Sequence, residues 1–185
     1  MKLTIGIPVH IGNIHGYVYG GPFKHYEVGT RRLVGVKMAE EIDHPHDISI
    51  PTEDFSVPSQ RDMEQGLIKA LASMNQGNDI YAGCMGGIGR TGLFMGCMAR
   101  VQFHYAGSPD DPVAFVRKHF KPHAIETREQ QNFVRNFDTT KVIEYILALE
   151  EAKEVIKYVA KVEKVEVVIT PWMWFKRKLQ SIAPW

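Results

Sequence analysis

The feature that most limits the fold is the stretch Tyr81-Ala82-Gly83-Cys84-Met85-Gly86-Gly87-Ile88-Gly89-Arg90-Thr91-Gly92. A short apolar segment, residues 80–82, runs into it, and an apolar helical segment, residues 93–105, runs out of it. A buried strand, a glycine-rich loop and a helix in that order imply an α/β layer fold: a central, mostly parallel sheet flanked by helices, with the loop at the carboxyl end of a strand. Such a loop can turn successive backbone N–H groups of Met85, Gly86, Gly87, Ile88 and Gly89 toward one anion, and the following helix adds positive potential. Gly86, Gly87 and Gly89 permit close approach. Arg90 supplies a planar, permanently charged fork for phosphate oxygens. The same field favours the thiolate of Cys84, and a thiolate beneath a bound phosphate is placed for in-line attack on phosphorus. The Thr91 hydroxyl is in reach of that sulfur and would stabilise it as a leaving group.

The anion site must be local, because the chain as a whole is near neutral: 22 Lys and Arg against 21 Asp and Glu, a formal net charge of +1. That balance provides no general attraction to nucleic acid or anionic membrane. With 185 residues, 44% hydrophobic and 23% charged, the chain has the size and composition of a soluble globular protein. Two cysteines, Cys84 and Cys97, form no disulfide framework, and zinc-type Cys-His spacing is missing. The first ten residues lack the apolar run of a secretory signal, and no stretch approaches a membrane span, so a cytoplasmic protein is expected.

Short apolar runs at residues 5–9, 17–19 and 33–36 read as strands, and residues 48–51 as a strand end entering a loop punctuated by Pro51 and Pro58. Ser59 followed by Asp62 reads as a helix cap, and Met63, Leu67, Ala70, Leu71 and Met74 recur at helical spacing. Residues 75–79 form a turn, residues 83–92 the glycine loop. Residues 107–110 break the next helix, and further helices are predicted over residues 111–120 and 127–137. Val142, Ile146, Leu149, Ala152, Ile156 and Val159 predict a long amphipathic helix over residues 139–162, before a β-branched run at 165–169. The expected organisation is one domain, residues 1–170, and an aromatic and basic tail, residues 171–185. That tail, with Trp172, Trp174 and Phe175 beside Lys176, Arg177 and Lys178, is suited to lying on an anionic membrane, holding a partner, packing back or self-association, with packing or self-association the expected use.

Cys84 through Arg90, followed by Thr91-Gly92, resembles the Cys-x5-Arg-Ser/Thr signature of cysteine-dependent protein phosphatases, most closely the compact dual-specificity type, with Gly87 where the family has an inner glycine. The resemblance covers roughly residues 43–137. It implies a phosphatase fold, a phosphocysteine intermediate and no metal or other cofactor. It also implies a general acid on a proline-containing loop upstream, and residues 50–59 look like that loop. Asp54 is the expected acid, its neighbour Glu53 the rival and Asp47 a distant third. An Ile-Glu-Thr-x-x-Gln run at residues 125–130 resembles the family segment in which the glutamine, here Gln130, positions the hydrolytic water. Thr127 with Gln130 also reads as a helix capping box.

One departure stands out. Most of the family has a histidine before the cysteine, where this chain has Gly83. Either the thiolate relies on the loop N–H groups, the helix, Arg90 and Thr91 alone, or Gly83 makes room for something bulky. The expected activity is that of a protein tyrosine or dual-specificity phosphatase acting on a phosphoprotein. Hydrolysis of an RNA 5′-triphosphate or a phosphoinositide is the alternative within the same chemistry, and a catalytically silent phosphate-binding module is the alternative outside it. His44 and His46 read as a solvated loop, Cys97 as core, and residues 150–166 as a solvated helix face.

Overall fold

A computed structural model describes residues 5–30 and 32–167. Five strands, β1 (Gly6–Ile11), β2 (Ile14–Pro22), β3 (Leu33–Ala39), β4 (Ile48–Thr52) and β5 (Asp79–Cys84), form one sheet in the order β1-β2-β5-β3-β4. Only β1 runs antiparallel to its neighbour, as the short turn between β1 and β2 requires. β2, β5, β3 and β4 are mutually parallel, so their carboxyl ends share one edge. β5 is the central strand: Pro22 of β2 and Lys37 of β3 stand opposite Cys84 and Gly83. It is buried along nearly its whole length, which explains why its sequence reads as a continuous apolar run.

Helix α1 (Gln60–Asn75) starts where Ser59 accepts a hydrogen bond from the Asp62 N–H at 3.1 Å, the expected cap. Its buried stripe contains all five expected residues, Met63, Leu67, Ala70, Leu71 and Met74. Helix α2 (Gly89–Ala106) is buried almost all round until it ends at Gly107, whose φ of +64° terminates it in the left-handed region. It takes in the end of the loop as read from sequence, leaving only residues 85–88 between strand and helix. Helices α3 (Pro112–His119) and α4 (Arg128–Asn136) follow, and α4 carries the capping box of Thr127 and Gln130 in full.

One sheet face carries an aromatic cluster of Phe23, Tyr26 and Tyr81 with Leu33, seated in part by the 3-10 turn Phe23–His25. The Tyr26 hydroxyl donates to the carboxylate of Asp47, which also accepts the Gly35 N–H at 2.8 Å. Burial first, and then this bond, raises the Tyr26 pKa. His44 belongs to the same structure rather than to a solvated loop: its Nε2 lies 2.7 Å from the Tyr26 carbonyl and its ring meets Phe23 edge-on.

The chain divides into two compact units, residues 1–146 and 147–185, with the boundary inside helix α5 (Thr140–Val167). In the first unit Val142 and Ile146 are buried. In the second, Ile156 and Val159 of the same stripe are exposed. The helix continues through Val167, which carries it into the β-branched run; the tail at 171–185 lies outside the described residues. No helix among the described residues is long and apolar enough to cross a membrane.

Candidate active site

Cys84 ends β5, and the loop of residues 85–88 lifts the chain into α2. Met85 and Gly86 are exposed, Ile88 half-buried, and Gly87 and Gly89 buried. Gly87 has φ +66°, and a Cβ there would lie 2.2 Å from the Gly21 carbonyl carbon and 2.4 Å from Pro22 N. Only glycine fits, because the loop rests directly on the backbone at the end of β2. Ile88, at the N-cap of α2, provides no side-chain hydrogen bond to the first turn. The N–H groups of that turn therefore stay available to a ligand anion.

Thr91 closes the loop onto the cysteine from inside the helix. Its Oγ1 donates to Cys84 Sγ at 3.3 Å and accepts the Cys84 N–H at 3.0 Å. Arg90 is buried, with 2% of its side chain exposed, and is held from two directions. Glu41, beyond the end of β3, grips it with both oxygens: Nη1 to Oε2 at 2.8 Å and Nη2 to Oε1 at 2.6 Å. Nη1 also donates to the Thr52 carbonyl at the end of β4, at 2.8 Å. Nη2 pairs with Asp54 Oδ1 at 2.8 Å. Burial works against the guanidinium charge, but the bonds to Glu41 and the charges of Cys84, Glu41 and Asp54 outweigh it, so the Arg90 pKa is raised. The same hydrogen bonds lower the Glu41 carboxyl below its ordinary value, against the opposing effect of burial.

Asp54 thus stands at the cysteine loop with its carboxylate 63% exposed, tethered to the residue expected to clamp phosphate. Among the described residues nothing comparable holds Glu53, whose backbone carbonyl accepts the Ser56 N–H in a tight turn. Phe55 takes φ 59° in that turn and is exposed, a left-handed conformation that costs a non-glycine residue backbone strain. Asp47 is occupied with Tyr26 and Gly35. The turn is fastened to the amino end of α4: Thr127 Oγ1 donates to the Phe55 carbonyl at 3.3 Å, and Gln130 Nε2 donates to the Ser56 carbonyl at 3.2 Å. Gln130 is fully buried, and its Oε1 accepts the N–H groups of Glu126 and Thr127 at 2.9 and 3.4 Å. Both ends of its amide serve backbone groups here.

Gly83 is explained by space. A Cβ at this position would lie 2.8 Å from the Gly21 carbonyl oxygen and 2.9 Å from Phe23 Cα. The buried Phe23 and the backbone before it fill the volume a histidine would need.

Sequence reasoning missed two residues. Glu41 lies 49 positions from Arg90, and its only signal is an acidic pair, Glu40-Glu41, directly after an apolar strand run. Lys121 donates to the Gly87 carbonyl at 2.7 Å, bracing the loop from outside.

The family model described as "Polymorphic toxin system, DSP-PTPase phosphatase" matches residues 33–102, from β3 into α2. Two uncharacterized proteins of Methanocaldococcus jannaschii are each 28% identical, over 104 and 101 residues. These spans cover 55% and 53% of this chain and 67% and 60% of the relatives. Among solved structures, Tk-PTP in its active form superposes with a TM-score of 0.53 at 22% identity, over 65% of this chain and 89% of that one. The core catalytic domain of the PP-IP phosphatase SIW14 from S. cerevisiae gives 0.51 at 16% identity, over 80% and 96%. A kinase associated phosphatase gives 0.50 at 14%, over 76% and 98%. At these identities the structural likenesses establish the fold, a mostly parallel sheet flanked by helices. The family model matches part of the chain, and the structural likenesses give the chain the fold shared by cysteine-dependent tyrosine and dual-specificity phosphatases.

Proposed function

We propose that the chain hydrolyses phosphate monoesters through a covalent phosphocysteine on Cys84. The observation that carries this reading is the convergence of four groups at one sheet edge: the Cys84 sulfur, the Thr91 hydroxyl bonded to it, the Arg90 guanidinium and the Asp54 carboxyl. In the first step the sulfur attacks phosphorus while the bond to the leaving oxygen breaks and Asp54 gives that oxygen a proton. The incoming phosphoryl group takes the place of Asp54 on Arg90 Nη2, which frees the Asp54 carboxyl for proton transfer, and Arg90 with the loop N–H groups holds the phosphoryl oxygens as charge redistributes. In the second step water, losing its proton to the Asp54 carboxylate, attacks phosphorus. The phosphorus–sulfur bond breaks, and the Thr91 hydroxyl stabilises the departing thiolate. Glu41 holds the guanidinium plane in register throughout.

The protein tyrosine or dual-specificity activity expected from the motif belongs to this proposal, and a phosphoprotein is its first substrate class. The names of the structural neighbours include both a kinase associated phosphatase and a PP-IP phosphatase; what they share is the phosphoryl group, which this site addresses. The test is turnover of p-nitrophenyl phosphate. The wild type should turn over. Cys84→Ser should lose several orders of magnitude, each factor of ten being about 1.4 kcal/mol of barrier, yet still bind phosphate. A wild type that binds phosphate without turnover would mark a silent binding module, and substantial turnover by purified Cys84→Ser would remove the mechanism.

A further inference from the structure

A cavity of about 490 Å³ opens beside the cysteine loop, on the side away from Asp54. Gly20, Gly21 and Pro22 of β2 form one wall, with Tyr19 and Tyr81 close by. Pro22 is the Cα partner of Cys84, so the cavity begins one strand spacing, about 4.8 Å, from the nucleophile's strand. Gly21 keeps the wall thin: a Cβ there would lie 2.5 Å from the Tyr81 hydroxyl. That hydroxyl donates to the Pro22 carbonyl at 3.1 Å.

The charges along the sheet edge are unevenly divided. At the ends of β3 and β4 stand Glu41 and Asp54, both turned to Arg90. At the end of β2, Lys24 and His25 line the cavity, and Lys121, bonded to the Gly87 carbonyl, lines it as well. Among the described residues Glu27 is the one acid in the lining. Neither Lys24, His25 nor Lys121 forms an ion pair among the described residues. A substrate whose first phosphoryl group sits over Cys84 would find a second one repelled toward β4 and attracted toward β2.

We infer that this cavity is a second anion subsite and that the substrate is a compact molecule bearing at least two phosphoryl groups. The inference rests on the phosphatase reading for the first group and adds the place of the second. A volume of this size holds a small ring with its substituents rather than an extended chain. Lys24 and His25 are both exposed, so their removal leaves the packed core intact.

The test uses Cys84→Ser protein and calorimetric titration with inorganic phosphate, myo-inositol hexakisphosphate and a doubly phosphorylated peptide, with and without Lys24→Ala/His25→Ala. Hexakisphosphate should bind at least about tenfold more tightly than phosphate. The double variant should remove about tenfold of that affinity and leave the phosphate value unchanged. Equal affinity for the two probes, or an equal loss for both, overturns the subsite. A peptide whose affinity falls as much as that of hexakisphosphate overturns the restriction to compact molecules. In the otherwise wild-type chain, Lys24→Ala/His25→Ala should leave p-nitrophenyl phosphate turnover unchanged. Absence of that turnover in the wild type would remove the phosphatase reading, while the calorimetric contrast would still decide the subsite.

Discussion

Glu41 and Asp54 share one guanidinium, and the two pairings differ in what they require. The Glu41 grip is two-pronged, which fixes the plane of Arg90 as a single contact does not. Glu41→Gln should keep the shape and lose the charge, lowering kcat/KM for p-nitrophenyl phosphate by roughly tenfold or more. It should also change the acid stability profile. The Glu41 carboxyl titrates lower in the folded protein than in the unfolded chain, so its contribution is present above the unfolded value and vanishes as pH falls through the folded one. The melting-temperature difference between wild type and Glu41→Gln should therefore be present at pH 7 and shrink below about pH 4. Asp54→Asn should slow hydrolysis of alkyl and tyrosyl phosphates far more than that of p-nitrophenyl phosphate, whose leaving group needs no proton, and should flatten the alkaline limb of the rate profile. Glu53→Gln should show neither change, and the reverse pattern would exchange their roles. At Gly83 the obstacle to a side chain is backbone, which cannot rotate away. Gly83→Ala should cost about 1–3 kcal/mol of stability, read by chemical denaturation, and Gly83→His should lose turnover through displacement of the loop.

Between elements, the amino end of α4 acts as a fastener for the turn that carries Asp54. Thr127 and Gln130 each cap their own helix and hold a carbonyl of residues 55–56. Gln130→Ala should cost about 1 kcal/mol or more of stability through the buried bonds it makes. Its kinetic signature should be a loss concentrated on poor leaving groups, because the turn with Asp54 is released while the cysteine loop is untouched. An equal loss on aryl and alkyl phosphates would instead support the water-positioning role expected from the motif. The contrast between Gln130 and Glu41 shows what was readable in the sequence. Cys84, Arg90 and Thr91 lie within one strand-loop-helix unit, so their meeting follows from local geometry, and the cap at Thr127 is likewise local. Glu41 reaches Arg90 only because β3 pairs with β5, a long-range pairing that periodicity does not encode. Lys24 enters the neighbourhood in the same way, through β2. The stripe in α5 was legible as a helix, Thr140–Val167, because 3.6-residue spacing is local; how far along it burial extends is set by packing, and here burial ends near Ile146.

For the molecule as a whole, every residue placed at the site belongs to the unit that ends at residue 146. A chain ending after Glu150 retains Val142 and Ile146 and should keep kcat/KM for p-nitrophenyl phosphate within about threefold of the full chain. A larger loss, with the fold intact by circular dichroism, would give the second unit a part in the reaction. The strand order has a further consequence, for the way the protein comes into being. The strand bearing Cys84, the proposed nucleophile, is the last of the five to be synthesised, and its place is in the middle of the sheet. Until it inserts, β2 and β3 each present an unpaired inner edge, a template for pairing with another chain. The partners it must find lie far back in sequence, Val18 opposite Ile80 and Leu33 opposite Asp79. Closing such distant pairs is slow relative to forming α1 or α2. Catalytic competence should therefore arrive together with the final closure of the sheet, so that a nascent chain paused before residue 84 has neither a thiol to oxidise nor a site to misuse.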